Sequence, residues 1–161
     1  FANAAFHQDI IVHLGAGACA FLLDILAPGR QARGEVWQYR EYKTTVQVHD
    51  GHGRIQLRER LRLQPQQWSP QHLALLEGYP YLGTFYAVAE GRSLPLALAD
   101  GLHQCLTEFP EVVGSASLLP QGPLVVRVVG TKHTPVEQAL QRVWDMVRQE
   151  VLGYPAVRLR K

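Results

Sequence analysis

Cysteine is nearly absent from this 161-residue sequence. Its two cysteines, Cys19 and Cys105, lie far apart in different contexts. Two such residues cannot form a disulfide framework, and Cys19, within Ala-Cys-Ala-Phe-Leu-Leu, reads as a small buried hydrophobe. A reducing, cytoplasmic location follows as the expectation. No apolar run approaches the ~18–20 residues that a spanning helix requires. The first residues do not read as a secretory signal, because His7 and Asp9 interrupt them and no basic segment comes before. A charge of one sign is also missing: the net charge is +2 and the basic residues are spread out. Only Arg158, Arg160 and Lys161 cluster, which argues against nucleic acid and against a membrane surface as partners.

Motifs for chemistry are equally scarce. The seven histidines include no His-Glu-x-x-His and no Cys/His pair at ligand spacing. His7 and His13 share a strand face but stand roughly 20 Å apart along it. His49 and His52 flank a turn, where a surface metal site is conceivable and plain solvation commoner. Gly15-Ala16-Gly17-Ala18 lacks the Gly-Lys-Ser/Thr ending of a phosphate loop, and no Gly-x-Ser-x-Gly is found. Nothing assembles a nucleophile, a base and an orienting group, so the sequence does not read as an enzyme.

What is present is β pattern and one long helix. Nearly half the residues are hydrophobic, enough for a globular core in a single domain spanning 1–161. Residues 9–14 and 19–23 are short apolar runs divided by glycine. Val36 to Val48 and Arg54 to Leu63 read as paired strands around Asp50-Gly51-His52-Gly53, a strong hairpin signal. In the second of these, Ile55, Leu57, Leu61 and Leu63 are expected on one face. Residues 64–80 read as a loop, with a possible helical turn from Ser69, as N-cap, to Glu77. Strands are expected over 81–89, 115–119 and 124–129, and helices near 95–107 and 135–152. Thr134-Pro135-Val136-Glu137 reads as a capping box with proline at the first helical position. Val136, Leu140, Val143, Trp144, Val147 and Val151 then line one face. The expected class is mainly β, with at least six strands, two or three short-to-medium helices, and the long helix at the C-terminal end.

Two features break these patterns. Glu59 falls on the apolar face of its strand, between Leu57 and Leu61. A carboxylate entering a core must find a cation, find donors or stay protonated. Arg30 and Arg33 are its nearest candidates in sequence; a bulge or frayed edge that turns it outward is the alternative. The second feature is the turn from Asp24 to Glu35, where Asp24, Arg30, Arg33 and Glu35 are interleaved with Pro28, Gly29 and Gly34. It reads either as an ion-pair lattice stapling two strands or as a polar site.

That turn also carries a resemblance. Gly-Arg-x-Ala-Arg-Gly-Glu over 29–35, after an apolar strand ending in Asp24, resembles the central signature of the urease accessory protein family UreD, called UreH in some species. The flanks agree: Phe1 to Gln8 resembles the family's Pro-Phe-x-x-Ala-x-Phe-x-Gln segment. Leu14 to Ala18 resembles its Gly-Ala step, and Glu59-Arg60-Leu61 its Glu-Arg-Leu run. Gly83-Thr84, the stretch from Ala116 to Val128, and the helix around Val143-Trp144 also fit. The family's N-terminal third, with its Gly-Gly-Asp turn, has no counterpart, so the chain is expected to be the later two-thirds of such a protein.

The resemblance implies a stacked, helical β architecture and a non-catalytic role. Proteins of this kind dock to UreF, join the GTPase UreG, and load nickel into apo-urease; a dimer within that complex is possible. On this reading no cofactor is tightly bound and nickel passes transiently. Asp24, Glu35 and Glu59, hard oxygen ligands that exchange divalent ions quickly, would line or gate the passage. Arg30, Arg33 and Arg60 would be structural ion-pair partners. Trp144, Tyr154 and Arg158, on the last helix and the apolar-basic tail after Gly153, would contact a partner. The alternative is a structural β-rich interaction module with no metal role. A third reading, a hydrolase using Asp24 with Glu35 or Glu59, has least support.

Overall fold

In the computed structural model, which describes residues 1–72, 75–120, 122–154 and 157, seven strands form two sheets and two helices cover one of them. The first sheet has the order β1 (Ala5–His13), β3 (Glu41–His49), β4 (Ile55–Leu63). The second has the order β2 (Cys19–Leu26), β5 (Tyr81–Ala89), β7 (Leu124–Gly130), β6 (Val112–Leu118), antiparallel throughout. β1 and β3 run parallel, in register from Ala5 opposite Glu41 to His13 opposite His49. Parallel neighbours need a crossover; here the crossover is β2, itself a strand of the other sheet. β1, β2 and β3 therefore make one turn of a β-coil, the stacked, mainly β arrangement expected from the sequence.

The central strands of the second sheet, β5 and β7, are covered on both faces, while its edge strands β2 and β6 carry exposed residues. Toward the helices the sheet presents Phe85, Ala87, Leu124, Val126 and Val128, packed on α1 (Leu96–Leu106) and α2 (His133–Leu152) through Leu98, Leu102, Val136, Leu140, Val143 and Val147. The closest approach is over β5. A Cβ on Gly83 would stand 2.5 Å from Leu140 Cδ1 and 2.8 Å from Val136 Cγ1, so only glycine admits α2 there. The opposite face meets the first sheet in a separate core of Leu14, Val46, Val48, Leu57, Tyr86, Val88 and Val125.

Several local expectations are corrected. The strand expected from Val36 begins only at Glu41. Trp37 sits at φ 55 and its N–H turns back to the Pro28 carbonyl at 2.8 Å, which takes this segment out of strand geometry. A register shift between Val48 and His49 leaves Ile55 exposed, off the face shared by Leu57, Glu59, Leu61 and Leu63. From Ser69 to Glu77 the described residues form bonded turns (His72 N–H to Ser69 O, 3.0 Å) and no helix; residues 73 and 74 lie outside them. The capping box is not formed. α2 starts at His133, with extended Lys132 as N-cap and no side-chain cap bond, and Pro135 occupies the third helical position, where its missing N–H is still not needed.

Candidate functional site between the sheets

The space between the sheets changes character along the strands. Around Val48, Leu57 and Val88 it is apolar. Farther along, side chains of opposite sheets are polar. On the second sheet Asp24, Thr84, Arg127 and Ser115 stand in one cross-strand row. On the first sheet Glu59 lies opposite Val46 on β3, with Thr44 and Tyr42 following on the same inward alternation.

Glu59 points inward, as its position between Leu57 and Leu61 demands, but its partner is neither Arg30 nor Arg33. Arg127 Nη2 donates to Glu59 Oε2 at 2.6 Å across the layers. Glu59 is about one-fifth exposed and Arg127 about half. The hydrogen bond from the Glu59 carboxylate strengthens the Arg127 guanidinium's hold on its proton. Beside it the buried Tyr86 hydroxyl is pushed up, first by burial and then by the Glu59 charge, with Asp24 adding to it. Asp24 accepts from the Tyr42 hydroxyl at 3.4 Å, and burial, then the Asp24 charge, push Tyr42 up to about 12. Asp24, Tyr42, Tyr86, Glu59 and Arg127 thus form one polar cluster, neutral tyrosines between two carboxylates and one arginine. A groove of about 370 Å³ opens beside it, walled by Leu61, Leu63, Leu76, Leu82 and Val129 and reaching Ser115 and Arg127. Among the described residues its wall holds no carboxylate.

Glu35 occupies a different place. Residues 31–33 form a 3-10 turn closed by left-handed Gly34. Arg30 grips Glu35 with both ends of its guanidinium, Nε at 2.8 Å and Nη2 at 2.5 Å, and these bonds hold the Glu35 carboxyl below its usual range. The Phe1 ring stacks 4.0 Å from Arg30. Gly29 is required here: it has φ 129, and a Cβ would lie 2.2 Å from the Glu35 carbonyl oxygen. Arg33 and Arg60 are exposed and have no ion-pair partner among the described residues. Among those residues no group of three or more His, Cys, Asp or Glu is placed to cage a metal, and no helix is long and apolar enough to cross a membrane.

At the helix side, Trp144 is half-buried and borders a second groove, of about 880 Å³, between α2 and the Phe21-Leu23-Ile25 edge of β2. Tyr154 is exposed; Arg158 lies outside the described residues. Sequence reasoning missed Arg127, Tyr42 and Tyr86 as members of the polar cluster. Arg127 carries the same signal as Glu59, a lone charge in an apolar run. It also missed Asp50, read only as a turn residue. Asp50 is buried and accepts from the N–H of His52 and Arg54, from Arg54 Nε and from Gln56 Nε2, at 2.7–3.0 Å. Burial alone would raise its carboxyl; these bonds outweigh burial and hold it at about 2.

The family model described as UreD urease accessory protein matches residues 1–161. The chain belongs to the UreD family. Curated relatives named urease accessory protein UreD agree with it. The protein of Haloarcula marismortui is 29% identical over 160 residues, 99% of this chain and 53% of its own length. That of Sorangium cellulosum is 39% identical over 137 residues, 81% of this chain and 41% of its own. That of Acaryochloris marina is 32% identical over 158 residues, 97% and 54%. The chain spans about half the length of the UreD relatives it matches. Within it, the residues that carry the resemblance to UreD fall on the Gly29–Glu35 turn, on Glu59 and on the Gly83 contact beneath α2.

Proposed function

We propose that this chain is part of a non-catalytic urease maturation factor that binds UreF, UreG and apo-urease and helps conduct nickel to the urease active site. The observation that carries the nickel role is the cluster between the sheets. Asp24, exposed on the edge strand β2, and Glu59, about one-fifth exposed, face the seam between the sheets from opposite layers, and Tyr42, Tyr86 and Thr84 add neutral oxygens. Oxygen donors without imidazole or thiolate hold a borderline dication weakly and release it, as a conducting site requires. Arg127 sets the entry condition: a dication that approaches Glu59 must displace or share its guanidinium. Glu35, clamped by Arg30, shapes the turn beside the route.

Glu59→Gln in the full-length protein tests this reading. The fold should hold, since an amide still accepts from Arg127, while nickel-dependent urease activation in cells should fall. Normal activation would leave Glu59 as a structural partner of Arg127. That second reading, an interaction module with no metal role, is favoured by the closed Arg127–Glu59 and Arg30–Glu35 pairs.

Partner binding is assigned to α2's outer edge at Trp144 and to the residues after Gly153. Deleting the residues after Gly153 should weaken capture of UreF by the full-length protein with little change in melting temperature. Unfolding of the truncated protein would make the tail core; unchanged capture would move the docking surface elsewhere.

A further inference from the structure

The outer face of the first sheet carries a feature that the maturation reading does not use. His13 ends β1 and His49 ends β3, and the two are direct partners in the parallel register. Their side chains leave the sheet on the same side. The rings stack with centroids 4.8 Å apart and planes 26° from parallel. His13 is exposed and has no hydrogen-bond partner among the described residues.

His49 is held from behind. Its Nδ1 lies 3.1 Å from the Gly53 carbonyl oxygen. A carbonyl only accepts, so Nδ1 carries a proton, and in the neutral imidazole this leaves the lone pair on Nε2. The turn that supplies this carbonyl is itself fixed, by the four bonds to buried Asp50 and by the Gly51 N–H to Glu90 Oε1 at 3.3 Å. A ring nitrogen oriented by a carbonyl on its other side is the arrangement that second-shell bonds give to metal-ligating histidines.

We propose that His13 and His49 form a two-imidazole site for a borderline transition-metal dication on the outer face of the first sheet. Metal–imidazole bonds of about 2.0–2.1 Å require two ligand nitrogens roughly 3–4 Å apart. Rings stacked at 4.8 Å reach that spacing by rotation of the free His13 ring, while His49 stays anchored. Two nitrogen ligands leave the remaining positions to water, so the ion exchanges readily. Imidazole selects nickel, zinc or copper over magnesium and calcium. The site does not depend on the maturation reading.

The test is titration of untagged chain with Ni²⁺ alone, followed by calorimetry and by paramagnetic broadening of the histidine resonances. One ion per chain should bind, broadening His13 and His49 together, with Mg²⁺ inert. His13→Gln leaves the His49–Gly53 bond and the turn intact and should weaken Ni²⁺ roughly tenfold or more; the variant with both residues changed to Gln should lose the site. Broadening confined to His7, His52 or His133, or wild-type Ni²⁺ affinity in His13→Gln, would overturn the proposal. Thermal melts of each variant confirm that the fold is retained.

Discussion

The two faces of the second sheet make an instructive pair. Toward the helices, alternate residues of β5 and β7 are Phe85, Ala87, Val126 and Val128, sealed against α2. Toward the first sheet, the intervening residues are Thr84, Tyr86, Val125 and Arg127, and the seam between them is apolar at one end and ionic at the other. One strand therefore serves two solvents at once. The helix side is packed to the point where one extra methyl group at Gly83 has no room. The inter-sheet side keeps an open groove beside charged groups. The larger buried apolar cluster lies on the first face, and the polar groups that a core would not tolerate lie on the second.

Substitutions can sharpen or break that contrast. The largest effect is expected at Leu140→Ala, which removes a fully buried side chain under the helix and should cost about 3–5 kcal/mol. Leu61→Ala, beside the existing groove, should cost only about 1 kcal/mol, because solvent already reaches it. Urea denaturation of both variants decides the matter; equal losses would mean that the two seams are packed alike. Next is Gly83→Ala, whose Cβ collides with Leu140 and Val136, at an expected cost of about 1–3 kcal/mol.

Acid should separate the layers further. Asp50, Glu35 and Glu41, the last held by hydrogen bonds from Arg62 (Nε to Oε1, 2.7 Å) and from His7, all lie in or beside the first sheet and have folded pKa values below their unfolded ones. The stability they add is complete above about pH 4–4.5. It is lost as the pH falls, for Asp50 down through about 2. Hydrogen exchange near pH 3 should show β3 and β4 losing protection before β5 and β7. Simultaneous loss would show that the two layers open as one unit. The smallest effect is the coupling of Glu59 with Arg127. In a double-mutant cycle with Glu59→Gln and Arg127→Gln, a solvent-accessible pair whose arginine is half-exposed should give no more than about 1 kcal/mol. A much larger value would make the inter-sheet ion pair a main support of the fold.

Local chemistry makes much of this fold legible in the sequence. The Asp-Gly hairpin, the β5 strand and the stripe of α2 follow from turn residues and from periods of two and 3.6. The inward direction of Glu59 follows from alternation alone. Its partner is not legible, because Arg127 stands 68 residues away and meets it only through the stacking of two sheets. The parallel pairing of β1 with β3 is hidden for the same reason. Trp37 shows the opposite failure: its β-forming neighbours predict a strand, and a left-handed backbone tied to Pro28 overrides them.

The coil made by β1, β2 and β3 also sets an order of events. β1 is an edge strand whose sole sheet neighbour among the described residues is β3, and it cannot pair until β2 has crossed and β3 is laid down. The β3–β4 hairpin closes over a four-residue turn at 50–53, a short loop with a low closure entropy. β1 must close a far longer one before it gains any ladder bond. It should therefore be the last strand to acquire amide protection during refolding and the first to lose it in the native state. Pulse-labelled hydrogen exchange would reveal this as late protection from Ala5 to His13, and the His13–His49 ring stack would form only at that final step.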